Sequence, residues 1–326
     1  MTDELRAWAL RAGRLAAGGT PYFFLLDFEL GMPRLWTLPE AANAGLRFSF
    51  PGRPDEESGA PPAVGLSVGT LERQRYERAF EMVQRGLQHG DSFLTNLTFP
   101  VPVVPEGSLA EIYAATEAKY RVLLPDQFVC FSPETFVTVG ESGYIETYPM
   151  KGTAPDTPAG RAWLLHDPKE IAEHATIVDL MRNDLSRVAR EVRVTDYRYI
   201  RAIERRSGGL LQSSSRIGGR LAGDWRANLG DWLLELLPAG SVSGAPKPAT
   251  LELIRRAEGA PRGYYCGIAG YFDGSTLDSC VLIRLLERSG SSHFFRAGGG
   301  ITARSRVGEE YAELMAKVRL PLRQSV

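Results

Sequence analysis

Cysteine is scarce: the 326 residues hold three, Cys130, Cys266 and Cys280. They are too few and too scattered for a disulfide framework, and no Cys-x-x-Cys pair exists to seat a structural zinc. That usage suits a reducing cytoplasm. No apolar run approaches the roughly 20 residues that span a bilayer, so no membrane partner is expected. The N-terminus opens on acidic residues, Asp3 and Glu4, and lacks the continuous apolar stretch of a secretory signal. An excess of one charge is missing as well: 38 Lys and Arg stand against 39 Asp and Glu, a formal charge of −1. That excludes a broad basic footprint, so no nucleic-acid partner is expected. Repeats of about 20–50 residues are absent, and with them solenoids and propellers.

What is present is ordinary globular material, 44% hydrophobic and 24% charged, enough for a large core. Length alone suggests about two domains at roughly 150 residues each. Helical spacing is read over residues 1–20, 71–89, 109–120, 169–189, 248–257 and 308–319. Strand patterns are read over 22–28, 93–99, 128–131, 135–139 and 144–148, with a hairpin turning at Asp273-Gly274. The Pro-, Gly- and acid-rich stretch 51–62 reads as an exposed loop. Hairpins rather than regular βαβ alternation predict α+β with largely antiparallel sheets flanked by helices.

Several familiar signatures fail. Ala239 to Lys247 looks like a phosphate loop but lacks Gly-Lys-Ser/Thr, and Pro246 removes an amide. Val242 occupies the place where a nucleophile elbow needs serine. Gly298-Gly299-Gly300 precedes a strand-like segment rather than a helix, so a dinucleotide fingerprint is weak. No His-Glu-x-x-His occurs.

Some signals survive. Glu170 and Glu173 lie three apart on one helix, and Glu310 and Glu313 repeat the spacing on the last. Two such pairs could meet around Mg²⁺, which takes one or two carboxylates plus water and an anionic substrate; spacing alone is equally met by two solvated faces. Lys151, in Tyr148-Pro149-Met150-Lys151-Gly152-Thr153, could be desolvated into a neutral nucleophile or be a plain turn lysine. Glu134, at a strand end in Ser132-Pro133-Glu134, could be a general acid if its site raises its pKa, or a turn carboxylate. Asp179 to Arg187 packs more ionic groups into one helical segment than a solvated face holds, so buried ion pairs are expected there.

Taken in order, these segments resemble the chorismate-utilising enzymes over roughly residues 70–320. The pieces are Gly90 to Thr98, Ser132-Pro133-Glu134, Pro149 to Thr153, Glu173-His174 with Ile177 to Leu185, Gly240 to Lys247, Arg262 to Gly267, Gly298 to Ile301, and Glu310-Tyr311-Ala312-Glu313. Eight weak motifs in sequence make a specific signal. Within the family the resemblance is to the aminodeoxychorismate synthase branch, which replaces the 4-hydroxyl of chorismate by ammonia. Lys151 matches the lysine that attacks ring carbon 2 there; anthranilate synthases have a small residue in its place. The water-adding branch uses a lysine where this chain has Leu94, which cannot deprotonate anything. An anthranilate synthase component and a silent chorismate-binding relative stay open as alternatives.

The resemblance implies Lys151 and Glu134 as catalytic residues and Mg²⁺ held through Glu170, Glu173, Glu310 and Glu313. It implies Thr153, Ser241, Tyr265, Arg284, Gly298, Gly299, Gly300 and Lys317 around the substrate. A dianion needs such cationic lining, because unpaired buried carboxylates are costly. Gln212 stands where many members have a histidine, and it cannot shuttle protons near neutral pH. No cysteine sits in a glutaminase-type elbow, so ammonia is expected from a glutamine amidotransferase subunit. No pyridoxal lyase region is expected before the end at Val326, and the tryptophan-binding signature of longer members is not visible. The implied fold is one large chorismate-enzyme-type α+β domain. Residues 1–70 form a shortened N-terminal segment packed on it, and 71–326 the catalytic region.

Overall fold

The run Tyr22-Phe23-Phe24-Leu25-Leu26 has no polar alternation, and all five residues are buried. A strand that is apolar on both faces must be covered on both. In the computed structural model, which describes residues 1–55, 60–203 and 209–323, it is. The helix Asp3–Ala17 lies on one side, with the Trp8 and Phe24 rings edge to face at 5.4 Å. On the other side Phe23 stacks on Phe48 at 4.3 Å, and Phe50 continues the aromatic layer to Tyr120 and Tyr271.

That layer joins two sheets, of nine and eight strands among the described residues, in which every pairing is antiparallel. The first runs in the order Met150–Pro155, Leu210–Leu221, Tyr144–Thr147, Thr135–Val139, Leu277–Val281, Ile268–Phe272, Tyr22–Leu26, Arg34–Thr37, with Ala189–Ile203 along Leu210–Leu221. The second runs Gly244–Ala245, Leu94–Glu106, Ser292–Ile301, Leu285–Ser289, Phe128–Ser132, Tyr120–Leu124, Arg47–Ser49, with Gly65–Val68 on Leu94–Glu106. The chain passes between sheets repeatedly, so no cut separates them, and the result is a single α+β domain. Residues 1–70, expected as a segment packed on the catalytic region, contribute strands to both sheets.

Helices close the outer faces. Arg73–His89 buries Tyr76, Phe80, Val83 and Leu87, the residues at helical spacing, and stops at Gly90 with φ +84°. Tyr76 meets Phe99 of the second sheet and Tyr311 of the last helix, Val307–Ala316. No helix among the described residues is long and apolar enough to cross a membrane.

Some boundaries differ from the sequence pattern. The helix from Leu109 ends at Ala115, because the Thr116 hydroxyl turns back onto the Ile112 carbonyl and Tyr120 opens a buried strand. The long helix is Pro168–Leu185, started by Asp167 capping the amides of Lys169 and Glu170, and a separate helix, Pro158–His166, precedes it. Gly298 to Gly300 lie inside a strand rather than before one. Of the loop 51–62, residues 56–59 lie outside the described residues, as do 324–326 and with them the end at Val326.

Two ion pairs tie the motifs together. Arg262, 1% exposed, meets Glu258 at 2.6 Å and donates to the carbonyls of Asn96 and Val242, both at 2.7 Å. Glu258 also accepts from the Thr98 amide and hydroxyl. Asp184 meets Lys247 at 2.9 Å, largely buried, whereas Asp179 and Arg182 pair in solvent. The crowded ionic segment therefore buries one member and leaves others solvated. The lysine of the failed phosphate loop is this structural counter-ion.

Candidate active site

Lys151 stands on the strand Met150–Pro155, at one end of the first sheet. Next to it Gly152 has φ +81°, and a Cβ there would collide with the Glu170 carboxylate. Glycine therefore lets the helix Pro168–Leu185 close onto this strand. The closure puts the Glu173 carboxylate 3.0 Å from the Lys151 ammonium, with Lys169 at 3.9 Å on its other oxygen.

This corrects the expectation of a neutral amine. Burial opposes the charge on Lys151, but the Glu173 carboxylate, backed by Glu313 and Glu170, outweighs it, and the ammonium is held above its ordinary range. Burial alone favours the neutral form. Whatever neutralises Glu173 would turn the lysine towards a nucleophile.

Glu310 and Glu313 come from the last helix and meet around Gly299. A Cβ on Gly299 would stand 3.6 Å from Glu310 Oε2 and Lys317 Nζ and 3.9 Å from Glu313 Oε1. The absence of that carbon keeps the space between them clear. Burial, with repulsion from Glu313, pushes the Glu310 carboxyl up, while Ser305 pulls against it. Burial and then Glu173 push Glu170 up, and its Oε2 is buried with no partner. Glu313 is exposed on its helix, and Lys317 at 2.8 Å draws its carboxyl below the ordinary range. Among the described residues no three His, Cys, Asp or Glu form a closed metal cage. The orphaned Glu170 oxygen and the two raised carboxyls nevertheless fit a hard cation that keeps its own water and takes few protein ligands.

Lys151, Glu173, Glu134 and Ser241 line one cavity of about 340 Å³. Behind it a recess of about 170 Å³ holds Tyr265, Arg284, Gly298 to Gly300 and Lys317. Glu134, Ser241 and Gly300 line both, so the carboxyl of Glu134 sits in the wall between them. Burial pushes that carboxyl up, opposed by the Ser241 hydroxyl, which donates to Oε1 at 2.5 Å, and by Lys317. Lys317 donates to the Gly298 carbonyl at 2.8 Å, which fixes its ammonium at the recess. Tyr265 is buried there, and its hydroxyl is held neutral by burial.

One expected substrate contact is not brought in. Thr153 is exposed and pairs with Gln212, outside both cavities. The register shifts between Met150 and Thr153, and this bulge breaks the alternation that would have carried Thr153 to the Lys151 face. Gln212 does not line either cavity. Leu94 does, as an aliphatic wall.

Sequence reasoning passed over His174 as a side chain with a role. It is fully buried, its Nε2 is 2.7 Å from Ser215 Oγ, and its ring also bonds the backbone at Lys151. Burial pushes its pKa down to about 4, so it is a neutral brace between the helix and the catalytic strand. The signal was there: Ser213 and Ser215, two apart on a strand, share a face that needs a polar partner. Thr135 and Tyr148 also line the cavity, each within three residues of a motif residue.

The chorismate binding enzyme family model matches residues 37–323. An uncharacterized PabA-like protein of Pasteurella multocida is 44% identical over 98% of this chain and 99% of its own length. Anthranilate synthase component 1 of Haloarcula marismortui is 33% identical over 90% of this chain and 61% of that protein. Aminodeoxychorismate synthase component 1 of Bacillus subtilis is 31% identical over 79% and 58%. Among solved structures, the menaquinone-specific isochorismate synthase MenF of Escherichia coli superimposes with a TM-score of 0.72 at 18% identity, over 97% of this chain and 80% of that one.

Proposed function

This chain belongs to the chorismate-binding enzymes, and we propose that it is aminodeoxychorismate synthase component I, converting chorismate and ammonia to 4-amino-4-deoxychorismate and water. The observation that carries this reading is the Lys151 amine in the cavity wall, 3.0 Å from the Glu173 carboxylate that controls its charge. The aliphatic Leu94 supports it, since a water-adding enzyme needs a base there. The relative named as an aminodeoxychorismate synthase component is compatible.

In the proposed sequence, Arg284, Lys317 and the Gly298 to Gly300 backbone hold the substrate carboxylates in the recess. Lys151, having lost its proton to solvent once the charge on Glu173 is offset, forms a bond from Nζ to ring carbon 2. The ring double bond shifts, and the 4-hydroxyl leaves as water with the proton of Glu134. Ammonia then attacks carbon 4, the double bond shifts back, and Lys151 is released. Splitting one substitution into two is the usual gain of covalent catalysis. Mg²⁺ held through Glu173 and Glu310, with Glu170 and Glu313 close by, would supply a counter-charge for the ring carboxylate.

The ammonia must come from elsewhere. All three cysteines are buried, and burial pushes each thiol up, that of Cys266 to about 12. None can serve as a glutaminase nucleophile. A separate glutamine amidotransferase subunit is the proposed source.

Incubation with chorismate, Mg²⁺ and an ammonium salt, followed by mass analysis, tests the reading. Aminodeoxychorismate is expected, with loss of turnover in chelator. Anthranilate and pyruvate as main products would replace this reading by the anthranilate one, and bound but unchanged chorismate would mark a silent relative.

A pH profile tests the acid. Glu134 donates only while protonated, so kcat/KM falls as pH rises through its raised pKa. Ser241→Ala removes an influence that lowers that pKa. The alkaline limb is expected to move to higher pH; a limb that stays put or moves down would show that another group is the donor.

A further inference from the structure

Beside the catalytic cavity lies another of about 420 Å³, sharing Thr135, Tyr148 and Met150 with its wall. Its floor is a cross-strand row: Met150 pairs with Ser214, which pairs on its other side with Tyr199. Directly opposed residues share a face, so three side chains point into one space. Lys119 stands in its wall, and Arg201 and Arg216 line it from the hairpin.

The cations there are under-compensated. Lys119 donates to Thr135 Oγ1 at 2.6 Å and has no carboxylate at ion-pair distance among the described residues. The Tyr148 ring lies 5.9 Å from Lys119 Nζ and 5.8 Å from Arg216 Cζ, so one aromatic ring is shared by two cations. Arg201 is exposed and makes no ion pair with a described residue.

Two carboxylates face them. Glu146 lies 3.9 Å from Arg216 and accepts from the Tyr148 hydroxyl. Asp278 is reached through the Tyr120 hydroxyl at 2.8 Å, and burial pushes its carboxyl up to about 6. Burial, helped by Arg201, destabilises the Lys119 charge more than Asp278 supports it. Lys119 is exposed along its stem while its ammonium is anchored on Thr135 at the cavity wall, and with no carboxylate at ion-pair distance among the described residues it is open to an anion from solution.

We propose that this cavity binds a small carboxylate carried on a planar ring, at a site separate from the catalytic one. Lys119 meets the carboxylate, Arg201 and Arg216 attract it from the rim, and the ring lies against Tyr148, Tyr199, Met150 and Pro133. The volume falls within the range of small-molecule pockets, about 300–1,000 Å³. The polar lining supplies the carboxylate's partners, and Tyr148, Tyr199, Met150 and Pro133 give a ring a surface to lie on. Neither Lys151 nor Glu134 lines this cavity, so its ligand is an effector rather than a substrate. Each is nevertheless one residue away, behind Met150 and Thr135, so occupancy reaches both reactive groups through neighbouring backbone.

Calorimetric titration with benzoate, and with benzamide as its uncharged counterpart, tests this on the intact protein without reference to activity. Benzoate is expected to bind, and benzamide about tenfold more weakly or worse, since a hydrogen bond to a charged group is at stake. Lys119→Met should weaken benzoate by about tenfold. Arg201→Ala, at an exposed position that cannot disturb the core, should weaken it several-fold and decides the matter if Lys119→Met fails to fold. Lys317→Met, which strips a cation from the catalytic recess, should leave it unchanged. No benzoate binding, or binding lost in Lys317→Met and retained in the other two variants, would overturn the proposal.

Discussion

Lys151→Ala is expected to lower amine formation by about 10³-fold or more, the scale on which removing a covalent nucleophile acts. Chorismate should still bind, because the recess around Arg284 and Lys317 is untouched, so kcat falls and KM changes little. The comparison variant is Glu173→Gln. It keeps the shape of the Lys151 partner but removes the charge that holds the ammonium, and burial then drives the lysine towards its neutral form. Lys151 should therefore react faster with an amine-specific reagent such as trinitrobenzenesulfonate in Glu173→Gln than in the parent. Full turnover in Lys151→Ala would remove the covalent role. Unchanged labelling in Glu173→Gln would remove the electrostatic account of its activation.

The second large effect is on stability. Glu258→Ala leaves Arg262, 1% exposed, charged and unpaired, and strips acceptors from Thr98. Breaking a buried pair in this way costs about 3–5 kcal/mol. For a chain of this size that lowers Tm by on the order of 10 °C. Replacing both partners by apolar residues of similar volume should cost much less, because no buried charge is then orphaned. Thermal unfolding of the single and double variants reads this directly. A single variant that melts within about a degree of the parent would show that solvent reaches Arg262 in the folded state.

Much of the fold was legible because its signals are local. Tyr76, Phe80, Val83 and Leu87 announce their helix by spacing, Asp273-Gly274 announces a hairpin, and an unbroken apolar run at Tyr22 announces a central strand. The hairpin from Ala189 to Leu221 was not legible. Its outer strand is rich in arginine and largely exposed, so it carries no apolar alternation. Sheet partners were not legible either, since pairing Leu94–Glu106 with Ser292–Ile301 is a long-range choice that no window of sequence contains.

The site shows the same division. Motif order brought Lys151, Glu134, Ser241, the four helix carboxylates and the recess residues into one neighbourhood. Thr153 fell outside because a bulge, invisible in Lys-Gly-Thr, changed which face it takes. The charge state of Lys151 was missed because it depends on Glu173, a residue from another element at a distance only the folded chain sets. His174 stands in a motif, but its role as a brace depends on serine partners that lie on a different element.

The position of the catalytic strand at the margin of the first sheet has a consequence for how the molecule breathes. The aromatic stack from Phe23 through Phe48 to Tyr271 clamps the two sheets at the opposite side, and opening there means losing the whole core. Met150–Pro155 has a single strand neighbour among the described residues, along a short, bulged ladder, and its remaining ties are to the helix Pro168–Leu185 through Glu173 and His174. Local opening is cheapest where few ladder bonds and little apolar contact must be given up. The lysine thus sits on a leaf that can flex while the spine stays shut, and the residues that set melting are not those that set turnover.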